Sequence, residues 1–216
     1  MYIATKAAER IYSRIEHRAD MAVHVLGAIF AVNATAWLLA HVSGSDALVA
    51  SVSIYCVGLL VMIFASAAYN LWPHGGAKQI LRRLDHSAIF IMIAATYTPF
   101  VANRLGGLAG PAILIAIWAC AMGGIALKVI YPHRFERQSL FLYLVMGWMI
   151  VTVIRPLAHS LATVDFWLLV GGGLVYSAGV TFYIVERIPF HKAIWHGFVL
   201  TAAVLHFSAV ALEFSR

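Results

Sequence analysis

The sequence places pairs of polar or ionisable side chains close together at the ends of long apolar stretches. Residues four apart share one face of a helix, so such a pair can act on one partner. Carboxylates and imidazoles at this spacing can hold a metal ion or move a proton, while hydroxyl and amide groups can bind a polar ligand. Three pairs have this spacing: Ser66 and Asn70 in "SAAYN", Lys192 and His196 in "HKAIWH", and Asp20 and His24 in "ADMAVH"; Asp85 and His86 in "RRLDHSAIF" are adjacent residues at the start of an apolar stretch.

The elements that carry these pairs must be membrane helices. The chain has 216 residues, of which 62% are hydrophobic and 11% charged, and its mean hydropathy is +0.87. A soluble domain of this size cannot bury so much apolar surface. A bilayer span needs about 20 mainly apolar residues. We therefore predict an all-α bundle of seven transmembrane helices in one domain, with spans at about 21–42, 48–71, 86–104, 111–130, 139–155, 165–185 and 193–214.

Charge patterning predicts the orientation of this bundle. With a cytoplasmic N-terminus, twelve of the 15 basic residues lie on the inner side, as the positive-inside rule requires. The C-terminus is then outside, and we expect a multi-pass protein of the bacterial inner membrane. The net charge of +6 is explained by topology, so we expect no nucleic-acid partner. The repeat of Ile3, Ala7, Ile11 and Ile15 predicts an amphipathic interfacial segment over residues 1–20, with a frayed basic tail as the alternative.

Alternating helix directions place five of the polar residues at one depth. The second span ends inside while the third and seventh begin there, so these residues can share a polar pocket that opens toward the cytoplasm. The pocket residues are Ser66, Asn70, Asp85, Lys192 and His196. The alternative is that each side chain reaches water separately at the interface. We favour that alternative for six other histidines, namely His17, His74, His86, His133, His159 and His191.

At these residues the chain resembles the hemolysin III family, the bacterial branch of the progestin and adipoQ receptor superfamily. The resemblance runs through "ADMAVHVLGA", "SAAYN", "LRRLDHSAIFIMIAATYTPF", "GGGLVYSAG" and "AIWHGFVLTAAVLHF". It implies a seven-helix fold with a zinc site on the cytoplasmic side, related to membrane-embedded lipid amidases. The family pattern holds zinc with three histidines, one closing Ser-x-x-x-His and two in His-x-x-x-His of the last span. A nearby aspartate can act on zinc-bound water.

This sequence departs from that ligand pattern at two of three positions. Ser66 and Asp85 match the family serine and aspartate, but Asn70 and Lys192 stand where two histidines are expected. Only His196 is retained, an amide is a poor zinc ligand, and an ammonium repels a cation. We therefore expect no metal and no cofactor. A rescued site of His191, His196 and Asp85 is the alternative, although a five-residue spacing turns His191 away from His196 around the helix.

We predict a specific role for Lys192 in this pocket. The Lys192 ammonium would supply the positive charge that zinc supplies in relatives, and it would pair with Asp85, with Asn70 and His196 hydrogen-bonded around them. Removing one partner of a buried ion pair typically costs about 3–5 kcal/mol. The alternative is that Lys192 extends into the cytoplasm and contacts nothing.

Three classes of function compete at this point. The first is a metal-free hemolysin III-like membrane protein whose pocket binds a lipid or responds to the state of the membrane. The second is a zinc-dependent hydrolase of lipid amides, in which Asp85 and Ser66 would be the catalytic residues. The third is a cytolysin or pore, which requires a continuous polar stripe that the sequence lacks. Membrane lipid is the expected partner, and the sequence does not define an oligomeric state.

Two further patterns predict how the helices pack. Small residues in "ASAA" at 65–68, "MGG" at 122–124 and "GGG" at 171–173 allow close helix contact. His206 lies deep in the last span, about 15 Å past His196 at 1.5 Å per residue. We expect it to hydrogen-bond a neighbouring helix.

Overall fold

The computed structural model describes residues 13–73, 75–131 and 134–215, which form helices and short connections. The helices are α1 (Arg14–His41), α2 (Asp46–Leu71), α3 (Gly76–Arg104), α4 (Ala109–Ile130), α5 (Glu136–Trp148), a 3-10 turn (Met149–Val153), α6 (Ile154–Ser160), α7 (Thr163–Ile184) and α8 (His191–Phe214). We call the end where α1, α3, α5 and α8 begin the inner end. The positive-inside rule predicts that it faces the cytoplasm.

Seven helical segments in the described chain are long and apolar enough to cross a membrane. Six are single helices, and the fifth is Glu136–Ser160, made of α5, the 3-10 turn and α6. The predicted all-α, seven-span bundle is therefore confirmed. The helices extend beyond the predicted spans at the inner end, because the basic first turns of α1 and α3 are helical although they are too polar for the hydrocarbon core.

The fifth segment stays helical beyond its predicted span, which ends at about residue 155. The chain continues as helix to Ser160, and Pro156 falls in the first turn of α6, where a missing N–H breaks no helical bond. The backbone of the preceding 3-10 turn and of the end of α5 is hydrogen-bonded to Tyr97 of α3. The Tyr97 hydroxyl lies 2.8 Å from the Met146 carbonyl oxygen and accepts a 2.7 Å hydrogen bond from the Ile150 amide.

Small residues bring helices together as predicted. The ring of Phe90 in α3 lies where a side chain at Gly124 in α4 would project, and the His206 ring of α8 covers Gly172 of α7 in the same way. His206 Nε2 is also 3.1 Å from the carbonyl oxygen of Leu169, which confirms the predicted bond to a neighbouring helix. Glycine at 124 and 172 thus serves packing.

The first and last spans are joined at their inner ends by one buried carboxylate. Ser13 and Glu16 form a capping box at the start of α1, in which each side chain accepts the other's backbone N–H. The second Glu16 oxygen accepts a 2.9 Å hydrogen bond from the backbone of Phe190, just before α8. Of the predicted interfacial segment, residues 14–20 form the first turns of α1, and residues 1–12 lie outside the described chain.

Candidate functional site

A cavity of about 650 Å³ lies inside the bundle and is lined by six of the seven spans, all except α4. Its lining runs along α3 from Arg82 near the inner end to Tyr97. At 1.5 Å per residue this distance is about 22 Å, or roughly three quarters of a hydrocarbon core about 30 Å thick. The cavity therefore reaches from the inner end well into the membrane.

All five residues of the predicted pocket line this cavity. The Asn70 amide donates a 3.0 Å hydrogen bond to the Ser66 carbonyl oxygen and lies 3.4 Å from the Ser66 hydroxyl. The half-buried carboxylate of Asp85 interacts with the same hydroxyl, and the charges of His24 and Arg82 also act on it. Ser66 and Asn70 on α2 thus face Asp85 on α3, at the depth that helix alternation predicts.

Lys192 sits at the mouth of the cavity. It is the second residue of α8, its side chain is exposed, and it contributes to the cavity lining. Its charge acts on His196, one turn further along the same helix. The proposed ion pair between Lys192 and Asp85 stays a prediction.

A second charged cluster holds the inner end together around Glu136 of α5. Its carboxylate is 2.8 Å from the Arg82 guanidinium, 3.1 Å from the Lys128 ammonium and 3.7 Å from His86 Nδ1. This cluster joins α3, α4 and α5, and it leaves the buried Lys128 with a counter-charge. Sequence reasoning did not find it, because Arg82 and His86 lie in a recognised segment but Lys128 and Glu136 lie in other parts of the sequence.

The prediction that six histidines each reach water separately at the membrane interface is only partly correct. His17 and His159 are exposed, as expected, whereas His74 and His133 lie outside the described residues. For His86 and His191 the interpretation was wrong. His86 lines the cavity beside Glu136, and His191 is buried with its Nδ1 3.3 Å from the Phe182 carbonyl oxygen of α7.

Three ligating side chains meet on the wall formed by α1 and α8. His196 Nδ1 lies 2.6 Å from one Asp20 oxygen, and His24 Nε2 lies 3.7 Å from the other. The two imidazole rings are tilted against each other with centroids 4.4 Å apart. Asp20 and His24 are buried and His196 is nearly so. The sequence shows the four-residue spacing of Asp20 and His24, but it does not show that α1 packs beside α8.

The deep end of the cavity is aromatic and its polar atoms are paired. The Trp148 indole donates a 3.0 Å hydrogen bond to the Ser177 hydroxyl, and the Tyr176 hydroxyl lies 4.0 Å from the Met62 sulfur. Tyr97 is bonded to the backbone of the fifth span. Charged residues are thus concentrated at the inner end of the cavity, and the deep end offers apolar surface.

The positions that match the family's zinc pattern do not fit a zinc ion. The Asn70 amide is bonded along its own helix, and Lys192 carries a positive charge. Within the described chain, the rescued set of His191, His196 and Asp85 is not brought together either. The group of three or more ligating residues found there is Asp20, His24 and His196, whose ligand atoms all lie within 4.8 Å of one another.

Comparison with known proteins agrees with the fold and the motifs. A family model described as Haemolysin-III related matches residues 13–207. The chain belongs to the haemolysin III family. A hemolysin-3 homolog of Bacillus subtilis (strain 168) is 39% identical over 197 residues, which cover 90% of this chain and 92% of that protein. Hemolysin-3 of Bacillus cereus is 37% identical over 197 residues, covering 90% of each chain.

This haemolysin III chain also resembles an animal protein. The human monocyte to macrophage differentiation factor is 31% identical over 163 residues, covering 73% of this chain and 67% of that protein. The similarity links the bacterial chain to the wider receptor superfamily that the sequence motifs indicate. With seven membrane-length helices, the chain is a multi-pass membrane protein.

Proposed function

We propose that this protein, placed in the bacterial inner membrane, binds a single-chain lipid in its inner cavity. The observation that carries the proposal is the polarity gradient of a cavity of about 650 Å³, which is charged at the inner end and aromatic at the deep end. Ligand pockets of about 300–1,000 Å³ with a few polar groups are typical of small-molecule sites. Such a volume suits one acyl chain with a small head group better than a two-chain phospholipid.

The charges at the mouth favour a head group that carries a carboxylate or another hydrogen-bond acceptor. Lys192 is exposed there, and the Arg82 guanidinium also lines the cavity. Asp85 and the Ser66 hydroxyl could accept or donate a second hydrogen bond to the same head group. Deeper in the cavity Met92, Tyr97 and Trp148 would contact the acyl chain. No metal at positions 70 and 192 is needed for this binding.

The proposal is tested by blocking the deep end of the cavity. Gly173 lines it, and a Cβ there would meet only the Trp148 ring at 3.9 Å, so Gly173→Leu should fill the cavity without a backbone clash. Gly171 lies two residues away on α7, with open space around its Cβ, and Gly171→Leu is the matched control. The measurement is the thermal unfolding of each purified protein in detergent, with and without sodium oleate.

Oleate should raise the melting temperature of the wild type and of Gly171→Leu but not that of Gly173→Leu. A ligand at about 100 times its Kd stabilises by about 2.7 kcal/mol. For a chain of this length that corresponds to a shift of about 5–10 °C. Oleyl alcohol, which lacks the carboxylate, should give a smaller shift. Equal oleate shifts in the two leucine variants would contradict the proposal.

One observation favours a second candidate, a metal-dependent hydrolase of lipid amides. The Asp85 carboxylate interacts electrostatically with His24, one of the three ligating residues on the α1 and α8 wall. Asp85 could then act as a general base in the hydrolysis of a lipid held in the cavity, and the Ser66 hydroxyl would orient the Asp85 carboxylate. Release of fatty acid from an N-acyl lipid by the wild type, and none by Asp85→Asn, would favour this candidate over simple binding.

A cytolysin or pore has less support. Along the described spans, the charges that line the cavity are concentrated toward the inner end, and the deep lining is aromatic. Conduction needs polar groups along the whole path. We therefore favour lipid binding over pore formation. Release of a trapped dye from liposomes that contain the protein would instead favour pore formation.

A further inference from the structure

The structure assigns a second function to the wall between α1 and α8: we propose that Asp20, His24 and His196 bind a divalent transition metal ion, with zinc as the best match. Two neutral imidazoles and one carboxylate form a ligand set that zinc sites with an open position commonly use. The three residues differ from the family's zinc pattern, with which they share only His196. The site is therefore displaced toward α1, away from Asn70 and Lys192.

The burial and hydrogen bonding of His24 are an independent indication of a bound ion. Its side chain is 6% exposed, and its Nε2 atom has no hydrogen-bond partner in the described structure. A buried polar atom without a partner typically costs about 1–3 kcal/mol. His24 Nε2 faces the Asp20 carboxylate at 3.7 Å, which is too long for a hydrogen bond. A metal ion between the two atoms would satisfy both.

The spacing of the ligand atoms fits a small ion after slight movement. Zinc bonds to nitrogen and oxygen are about 2.0–2.2 Å long, so the ligand atoms of a tetrahedral site are about 3.4 Å apart. The present separations are 2.6 Å between Asp20 and His196 and 3.7 Å between Asp20 and His24. These two separations, which involve different Asp20 oxygens, must change by less than about 1 Å, and one ligand atom from each of the three residues already lies within 4.8 Å of the others. The capping box and the Glu16 bond to Phe190 already hold the two helix ends together.

The local charge also favours a cation. Asp20 carries one negative charge in a buried position, and Asp85 lies close enough to His24 to act on it electrostatically. The opposing charges are Arg82, which acts on Asp85 and is paired with Glu136, and Lys192, which precedes His196 by one turn and is exposed at the mouth. Since Glu136 offsets the Arg82 charge, the buried Asp20 carboxylate is the dominant charge beside His24 and His196.

Three protein ligands leave a zinc ion at least one open coordination position. His24 and His196 both line the cavity, so that position would be available to a ligand there. The chemical class that fits is an oxygen donor on a lipid head group, such as a carboxylate or an amide carbonyl. This last step rests on the proposed lipid-binding function, whereas metal binding by the three residues does not.

Metal binding is tested with the purified full-length protein after chelator treatment. The protein is titrated with zinc chloride by calorimetry, and bound zinc is then counted by elemental mass spectrometry. The variants are Asp20→Asn and His24→Gln, which keep the side-chain size. His41→Gln is the control, because His41 lies on the same helix, is exposed, and stacks on Trp37 far from the site.

We expect one equivalent of zinc in the wild type and in His41→Gln. Each ligand variant should bind at least about 100-fold more weakly, since even outer-shell partners of a metal contribute 10–100-fold. Cobalt in place of zinc should give the strong visible bands of a tetrahedral site in the wild type and lose them in His24→Gln. If a variant does not fold, the wild-type titration still tests the proposal, because a wild type that takes up no zinc would overturn it.

A second result would also overturn it. Zinc bound equally by wild type and His24→Gln, but lost in His191→Gln, would place the metal at the rescued site instead. The outcome for lipid is separate, because zinc uptake without any oleate shift would leave the metal site standing and remove the lipid proposal. An oleate shift in zinc-free protein, combined with no zinc uptake, would keep the lipid proposal and remove the metal site.

Discussion

The inner and outer ends of the bundle both bury charged groups, but they use them differently. At the outer end Arg104 forms an ion pair with Glu213 and lies over the Phe214 ring, while Asn103 donates a 2.9 Å hydrogen bond to Ser51. Glu213 also lies next to the buried Asp165. These groups are packed between α2, α3, α7 and α8. At the inner end the polar residues of five spans surround a cavity instead.

This difference separates structural polar groups from candidate functional ones. Ionisable residues in a membrane are costly, and those that pair with each other across helices can be explained by stability alone. Asp85, His24 and His196 line an open space, and His24 Nε2 has no partner among the described residues. The comparison therefore predicts that outer-end substitutions reduce stability, whereas inner-end substitutions reduce ligand or metal binding.

The largest effect on stability is expected from Arg104→Gln. It removes the cation that is paired with Glu213, whose carboxylate lies next to that of Asp165. Breaking a fully buried pair costs about 3–5 kcal/mol; because Arg104 is exposed and only Glu213 is buried, the loss should be smaller, at about 2–3 kcal/mol. Thermal unfolding should show it, with oleate and zinc binding unchanged. Arg155→Gln, at an exposed arginine of the same end, is the control, and an equal loss there would remove the contrast.

The next effect is expected from Gly172→Ala. A Cβ at this position would overlap the His206 ring, so the ring must move and lose its 3.1 Å bond to Leu169. Overpacking of this kind costs about 1–3 kcal/mol. Gly171→Ala, which adds a methyl group in open space, should melt at or above the wild-type temperature. If both alanine variants melt alike, His206 does not pack as described.

Much of the fold was predictable from the sequence, because seven apolar runs of span length leave few alternatives. The pocket at the inner end was also predictable, since alternating helix directions fix the depth of Ser66, Asn70 and Asp85. The neighbours of each helix were not predictable. Asp20 and His24 are as visible in the sequence as Lys192 and His196, yet only the packing of α1 against α8 brings them to His196.

The irregular backbone of the fifth segment was unpredictable for a different reason. The sequence places the end of this span at about residue 155, just before Pro156, but a 3-10 turn (Met149–Val153) is followed directly by α6 (Ile154–Ser160). The Tyr97 hydroxyl binds the irregular backbone from α3, 50 residues away in sequence from Gly147. Local propensity cannot predict a helix break that a distant side chain stabilises.

A smaller effect tests the predicted ion pair at the mouth. Asp85→Ala should destabilise more than Asp85→Ala combined with Lys192→Met, because the single change leaves the ammonium without its counter-charge. Since Lys192 is exposed, the coupling should be about 1 kcal/mol, the upper limit for solvent-exposed pairs. The measurement is a double-mutant cycle of melting temperatures in detergent. Equal losses in the single and double variants would end the ion-pair hypothesis.

The smallest effect on stability is expected from Lys192→Gln. A substitution at an exposed site usually changes stability by less than about 0.5 kcal/mol. The oleate-induced shift should nevertheless fall to the level seen with oleyl alcohol, because the carboxylate loses its exposed cation at the mouth. Lys78→Gln, which removes a half-buried lysine of the same end that does not line the cavity, should keep the full oleate shift.

The most direct test of the cavity's role is native mass spectrometry of the protein extracted from its own membrane. The account predicts one co-purifying single-chain lipid per wild-type chain. The lipid should be retained by Gly171→Leu and absent from Gly173→Leu, in which the deep cavity is filled. Equal lipid retention by the two leucine variants, or a lipid-free wild type, would contradict the central claim.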